Sequence, residues 1–235
     1  MNVEFDFSTS EDGIVASTSA ESVFDFLAQR KAPIGLLTIK NAIVDRRFLQ
    51  KWRKATDGFR TAVIHVTFEH CHFGDLPPTE VCNFLFRYIR AISMKIEGRV
   101  ESFFSTLLSD DRISRLHNLR VYSKAKIPVD DELLLARLFK PGELQVLDFR
   151  RVQLSPEFVN KLIHRFREST RAVRCISRLF LGGDIPWPLH QLNFSKEQIH
   201  SGDRDKYRFK NRFGYFSLIV DYGKNELELQ INETF

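Results

Sequence analysis

The sequence predicts an α/β chain: a strand-turn-helix solenoid with a C-terminal antiparallel β cap. Three observations predict it. A phrase of the form apolar-x-x-apolar-x-apolar-x-x-small-x-apolar recurs about every 28 residues. An amphipathic stretch with apolar residues three and four apart follows the copies, as a helix requires. From about residue 195 the apolar residues alternate with period two, the signature of strands.

Composition sets the bounds. The chain has 235 residues, 43% hydrophobic, and its 22 Phe carry most of a 12% aromatic content, enough for a sizeable core. Charged residues make up 28% and mean hydropathy is -0.24, and no apolar run reaches the roughly 20 residues of a membrane span. A soluble protein of the cytoplasm or nucleus is expected, with no membrane partner. The three cysteines, Cys71, Cys82 and Cys175, lack CxxC spacing and favour a reducing compartment over a disulfide framework. A net charge of +5 permits acidic partners without requiring nucleic acid.

The elements follow in order. Met1 to Ser19 carries Glu4, Asp6, Glu11 and Asp12 and no basic residue, which excludes signal and transit peptides and reads as loosely structured. A helix at Ala20 to Arg30 is expected to cap that end. The first clean phrase is Ile34, Leu37, Ile39, Ala42 and Val44, followed by a helix at Asp45 to Lys54 anchored by Phe48 and Trp52. The second is Val63, Val66, Phe68, Cys71 and Phe73, followed by a helix at Pro77 to Arg90 with Val81, Phe84, Leu85 and Tyr88 on one stripe. Ala91, Met94 and Ile96 open a weaker copy that departs at Arg99 to Glu101, and Phe103, Phe104, Leu107 and Leu108 mark its helix. Leu116, Leu119 and Val121 open another, in which Ala125 and Ile127 arrive one residue late. Leu133, Leu134, Leu135 and Leu138 form a helix opened by Pro128, Asp130 and Asp131.

The third clean phrase is Leu144, Leu147, Phe149, Val152 and Leu154. The helix after it, Ser155 to Arg167, has Ser155 as N-cap, Pro156 at the first position, and Val159, Leu162, Ile163 and Phe166 on its stripe. Ile176, Leu179 and Leu181 form a terminal copy ending in Gly182-Gly183, and Asp184 to Leu189 is a stiff connector. Tyr207 with Phe209, then Phe216, Leu218 and Val220, then Leu227, Leu229 and Ile231, alternate as a hairpin or meander. The division expected is an N-terminal tail and capping helix over 1–33, about six repeats over 34–194, and a β cap over 195–235.

The phrase is that of the leucine-rich repeat, here in degenerate form. Stacked repeats expose a long concave face, and the residues between the inward positions line it. They are Thr38, Lys40, His65, Thr67, Lys95, Arg120, Tyr122, Asp148 and Arg150. A merely solvated strand face is the alternative for any one of them.

Other constellations read as structural. Glu69-His70-Cys71-His72 resembles a zinc cluster, but strand alternation sends neighbours to opposite faces and Cys71 fills the small inward slot. The chain has no G-x-S-x-G, and Gly182-Gly183 lacks phosphate-loop spacing. The carboxylate pairs Asp110-Asp111 and Asp130-Asp131 lie at helix ends, where acids favour the positive pole. No catalytic residue, cofactor or metal is expected. Two basic stretches interleave with aromatics: Arg46, Arg47, Lys51, Arg53 and Lys54 around Trp52, and Arg204, Lys206, Arg208, Lys210 and Arg212 around Tyr207, Phe209 and Phe213. They support an alternative of RNA or single-stranded DNA binding, although Tyr207 and Phe209 occupy the alternate positions that a strand buries.

The stretch Leu133 to Phe149, LLLARLFKPGELQVLDF, is similar to the helix, KPG and strand phrase of FTH-type domains in nematode F-box-associated proteins. FGYFSLIVDYGKNELELQI is loosely similar to the closing strands of such domains. The resemblance implies the substrate-binding part of a receptor for a cullin-type ubiquitin ligase. It departs at the F-box itself: the first 35 residues carry no Leu-Pro-x-Glu-Val phrase, and Leu76-Pro77-Pro78-Thr79-Glu80-Val81 has an extra residue. A Skp-type adaptor would then bind only through an F-box supplied elsewhere. The expected function is non-enzymatic binding of a protein target on the concave face, ahead of nucleic acid.

Overall fold

The computed structural model describes residues 2–6, 20–29, 34–56, 61–140, 142–168, 178–182, 197–201, 204–210, 216–223 and 226–233. The expected Asp184 to Leu189 connector, Cys175 and Phe213 lie outside these residues. The chain divides into two compact units, Met1–Ala125 and Lys126–Phe235.

The first unit alternates strands and helices. β1 (Asn2–Asp6), β2 (Ile34–Lys40), β3 (Thr61–His72), β4 (Ile89–Arg99) and β5 (Asn118–Pro128) pair in sequence order, every pair parallel. Parallel neighbours need a crossover, and the helices supply it: α1 (Ala20–Gln29), α2 (Arg46–Ala55), α3 (Pro78–Asn83) and α4 (Phe104–Ser109). α3 continues as a π-helical turn, Phe84–Tyr88, before β4 begins, so the expected long helix is shorter. Pro78 is the first residue of α3, where its missing N–H costs nothing.

One face of these strands is apolar and buried. Leu37, Ile39, Val66, Phe68, Met94, Ile96, Leu119 and Val121 are each 1% exposed or less. Rings link that face to the helices. Phe48 of α2 meets Phe24 at 5.4 Å and Trp52 at 6.0 Å, Trp52 meets Phe84 edge-on at 5.3 Å, and Phe84 meets Phe68 at 5.9 Å. Phe68 meets Phe73 at 5.8 Å, and Phe73 meets Phe103 at 4.9 Å. Most of these contacts are edge-to-face, which suits the ring quadrupole, and the series joins helices to strands of the sheet.

The second unit holds β6 (Val146–Gln153) and β7 (Arg178–Gly182), again parallel, with α5 (Asp131–Leu138) and α6 (Phe158–Glu168). Asp130 caps α5 by accepting from the N–H groups of Glu132 and Leu133. α6 starts at Phe158, three residues beyond the expected cap. Ser155 instead directs its hydroxyl to the buried carboxylate of Asp131, which also accepts from Lys161 at 3.1 Å. β8 (Glu197–Ser201), β9 (Arg204–Lys210), β10 (Phe216–Gly223) and β11 (Glu226–Glu233) follow, and β11 pairs with β7.

This corrects the expected leucine-rich-repeat-like solenoid with a C-terminal antiparallel β cap. The protein is an α/β fold built on parallel strands alternating with helices, and its last strands are not a separate cap: β11 adds directly to β7. The reason is that the phrase reports only strand, turn and helix in succession, which any parallel βα array shares. Period-two alternation says that a strand exists and not which strand it joins. A second correction concerns the N-terminus, expected to be loose. Asn2–Asp6 is a strand, in register with Leu36 to Lys40. Among the described residues no helix is long and apolar enough to cross a membrane.

Candidate partner-binding face

The face of β1–β5 opposite the rings is polar. Parallel register places residues in rows across the strands. One row runs Glu4, Thr38, Thr67, Lys95 and Arg120, and the next runs Asp6, Lys40, Glu69, Glu97 and Tyr122. Ion pairs link opposite charges along and between these two rows. Lys40 lies 2.9 Å from Glu4 and 3.5 Å from Glu69. Lys95 lies 3.8 Å from Glu69, 2.9 Å from Glu97, and 5.1 Å from the centre of the Tyr122 ring. His70 Nδ1 approaches Glu97 at 3.7 Å. The hydrogen bond from Lys40 to Glu4 leads the effects that hold its ammonium above the usual lysine range.

A left-handed backbone turn marks each clean phrase. Asn41, His70 and Arg151 all have φ between 53° and 63°, in the left-handed region. Each stands two residues after the last central apolar residue of a clean phrase: Ile39, Phe68 and Phe149. The turn carries the next residue back inward, so Ala42, Cys71 and Val152 are buried. Cys71 Sγ donates to the Ile39 carbonyl at 3.3 Å, and burial pushes its pKa up to about 11. Asn41 donates from its backbone to Glu69 at 2.8 Å and from its side chain to Asp6 at 2.8 Å.

The weaker copies close this turn differently. Gly98 holds the equivalent place after Ile96, at φ 151°, against the Cys71 carbonyl. After Val121 the place falls to Ser123, which donates to Glu101 at 2.6 Å while its own oxygen accepts from Ala125 at 3.1 Å. That side-chain closure accounts for the one-residue slip after Val121.

The structure therefore brings Lys40, His65, Thr67, Lys95, Arg120 and Tyr122 onto the strands of the first unit, all exposed or half-buried. Thr38 shares a row with them but is 7% exposed. Asp148 and Arg150 belong to β6 in the second unit, where Asp148 is 6% exposed and its carboxylate lies 2.9 Å from Arg150 Nε. Glu4, Asp6, Glu69 and Glu97 complete the face and were missed as members of it. The alternation of Val3 and Phe5 with Glu4 and Asp6 was the available signal for the first two.

The other constellations have structural duties. Of Glu69-His70-Cys71-His72, Glu69 makes the ion pairs above, His70 lies beside Glu97, Cys71 is buried and His72 is exposed. Asp110 caps the 3-10 turn Asp111–Arg115 by accepting from Arg112 N, and holds the Arg112 guanidinium at 2.6 Å. Trp52 is fully buried, while Arg46, Arg47, Arg53 and Lys54 around it are exposed.

No family model, curated protein or solved structure matches this chain.

Proposed function

We propose that this chain is a non-enzymatic protein-interaction module that binds a protein partner on the open face of β1–β5. The observation behind the reading is the ladder from Glu4 through Lys40, Glu69 and Lys95 to Glu97, whose charges are held in strand register. A fixed pattern of both signs on a rigid sheet suits selection among protein surfaces, because misplaced like charges are penalised. A nucleic-acid groove calls for uniform positive charge and accessible rings. This face carries four carboxylates, and Trp52 lies in the core.

The resemblance over Leu133 to Phe149 supports a finer version of the same reading. The partner is then a protein marked for degradation, and the chain is the substrate-side part of an F-box-type receptor in the cytoplasm or nucleus. A Skp-type adaptor would join only through an F-box from elsewhere.

The test is affinity purification with mass spectrometry, comparing the wild-type chain with a Thr67→Arg variant that places bulk and charge in the middle of the face. Partners recovered by the wild type should disappear from the variant while its thermal melt stays within a few degrees. Identical partner sets from both chains would refute the face. Absence of Skp- and cullin-type subunits from the wild-type set would refute the finer version only.

A further inference from the structure

We propose that the partner contributes an acidic peptide segment to this face, with a carboxylate seated on Arg120. The inference rests on the open-face reading above and assigns the chemistry of what binds there. On this face the lysines are already engaged: Lys40 by Glu4 and Glu69, Lys95 by Glu69 and Glu97. Arg120 is different. It is exposed, and among the described residues it makes no ion pair or hydrogen bond. Its register neighbour on β4 is Lys95, and like charges side by side on a sheet destabilise each other. Lys95 is itself engaged by Glu97 and the Tyr122 ring, and among the described residues the Arg120 guanidinium makes no ion pair.

Along β5, Arg120, Tyr122 and Lys124 stand on the same side by alternation, with Val121 and Ser123 buried between them. An extended acidic segment following β5 would meet the Arg120 guanidinium and, two residues on, the Tyr122 ring. The guanidinium fork favours a planar carboxylate. A continuous polyanion crossing the strands from Arg120 would pass Lys95 and Thr67 with Glu97 and Glu69 in the adjoining row and Glu4 at the end of its own, so a peptide carboxylate fits better than a phosphate backbone.

Fluorescence anisotropy tests this with three labelled probes of similar length: a peptide of alternating Glu and Ser, one of alternating Lys and Ser, and an oligothymidylate. The Glu peptide should bind the full chain and the Lys peptide should not. Arg120→Glu should weaken the Glu peptide about tenfold or more. Arg47→Glu, with the same change in net charge at an exposed position of α2, should leave it within about twofold. Equal weakening by the two variants, tighter binding of the oligothymidylate, or no binding of the Glu peptide would overturn the proposal. The partner capture described above separates the two readings. If Thr67→Arg loses the partners and Arg120→Glu keeps them, the face stands and the acidic segment fails. If Thr67→Arg keeps them, the face itself fails.

Discussion

Gly98 shows how tightly one backbone atom can constrain the sheet. A Cβ at this position would lie 2.4 Å from the Cys71 carbonyl oxygen, and φ of 151° disfavours any L side chain. Gly98→Ala should cost about 2–3 kcal/mol, read as a lower urea midpoint; an unchanged midpoint would show that β3 and β4 are not this close. Glu101 makes a second residue-scale prediction. Burial acts to raise its pKa, but hydrogen bonds from Ser123, from its own backbone and from Ala125, with the charge of Arg99, together outweigh burial and lower it. A carboxyl lowered on folding stabilises the protein above its ordinary value of 4.5, and that contribution disappears as pH falls through the folded value. Urea midpoints measured from neutral to acid pH should therefore converge for wild type and Glu101→Gln at the acid end. A gap that stays constant would remove Glu101 as a source of acid sensitivity.

At the scale of elements, the strand phrases were legible and their turns were half legible. The apolar positions of the clean copies are the buried ones, because a strand with one covered face must repeat every second residue. The inward return at Ala42, Cys71 and Val152 was legible as a small or apolar slot. The left-handed residue before each slot was not, because Asn41, His70 and Arg151 share no side-chain chemistry. Ser155 misled for a similar reason. It is a good N-cap by type, but the buried Asp131 competes for its hydroxyl and the helix starts later. The ring series is the element-scale test of packing. Trp52 touches Phe48 and Phe84 and is fully buried, so Trp52→Ala should cost about 3–5 kcal/mol. A thermal melt within a degree or two of wild type would mean that α2 is not held through this ring.

At the scale of the molecule, the chain forms two compact units, each with its own buried apolar residues. The ring series and the charge ladder both lie in the first. A fragment ending at Pro128 keeps β1–β5 and α1–α4, and it should unfold cooperatively in urea. A featureless, non-cooperative transition would show that this core depends on the rest of the chain.

By itself the sequence determined the alternation of strands with helices, the buried face of each clean phrase and the polar residues opposite it. These follow from local periodicity, which needs only the covering of one face of each element. The tertiary structure alone decided that Asn2–Asp6 joins β2, that β11 adds to β7, and that Glu4, Lys40, Glu69, Lys95 and Glu97 form one ladder. Each of these depends on which strands pair and in what register, and register is set between segments distant in sequence. The same register sets Arg120 beside Lys95, with no ion pair to Arg120 among the described residues, and residue type in a single strand could not reveal that.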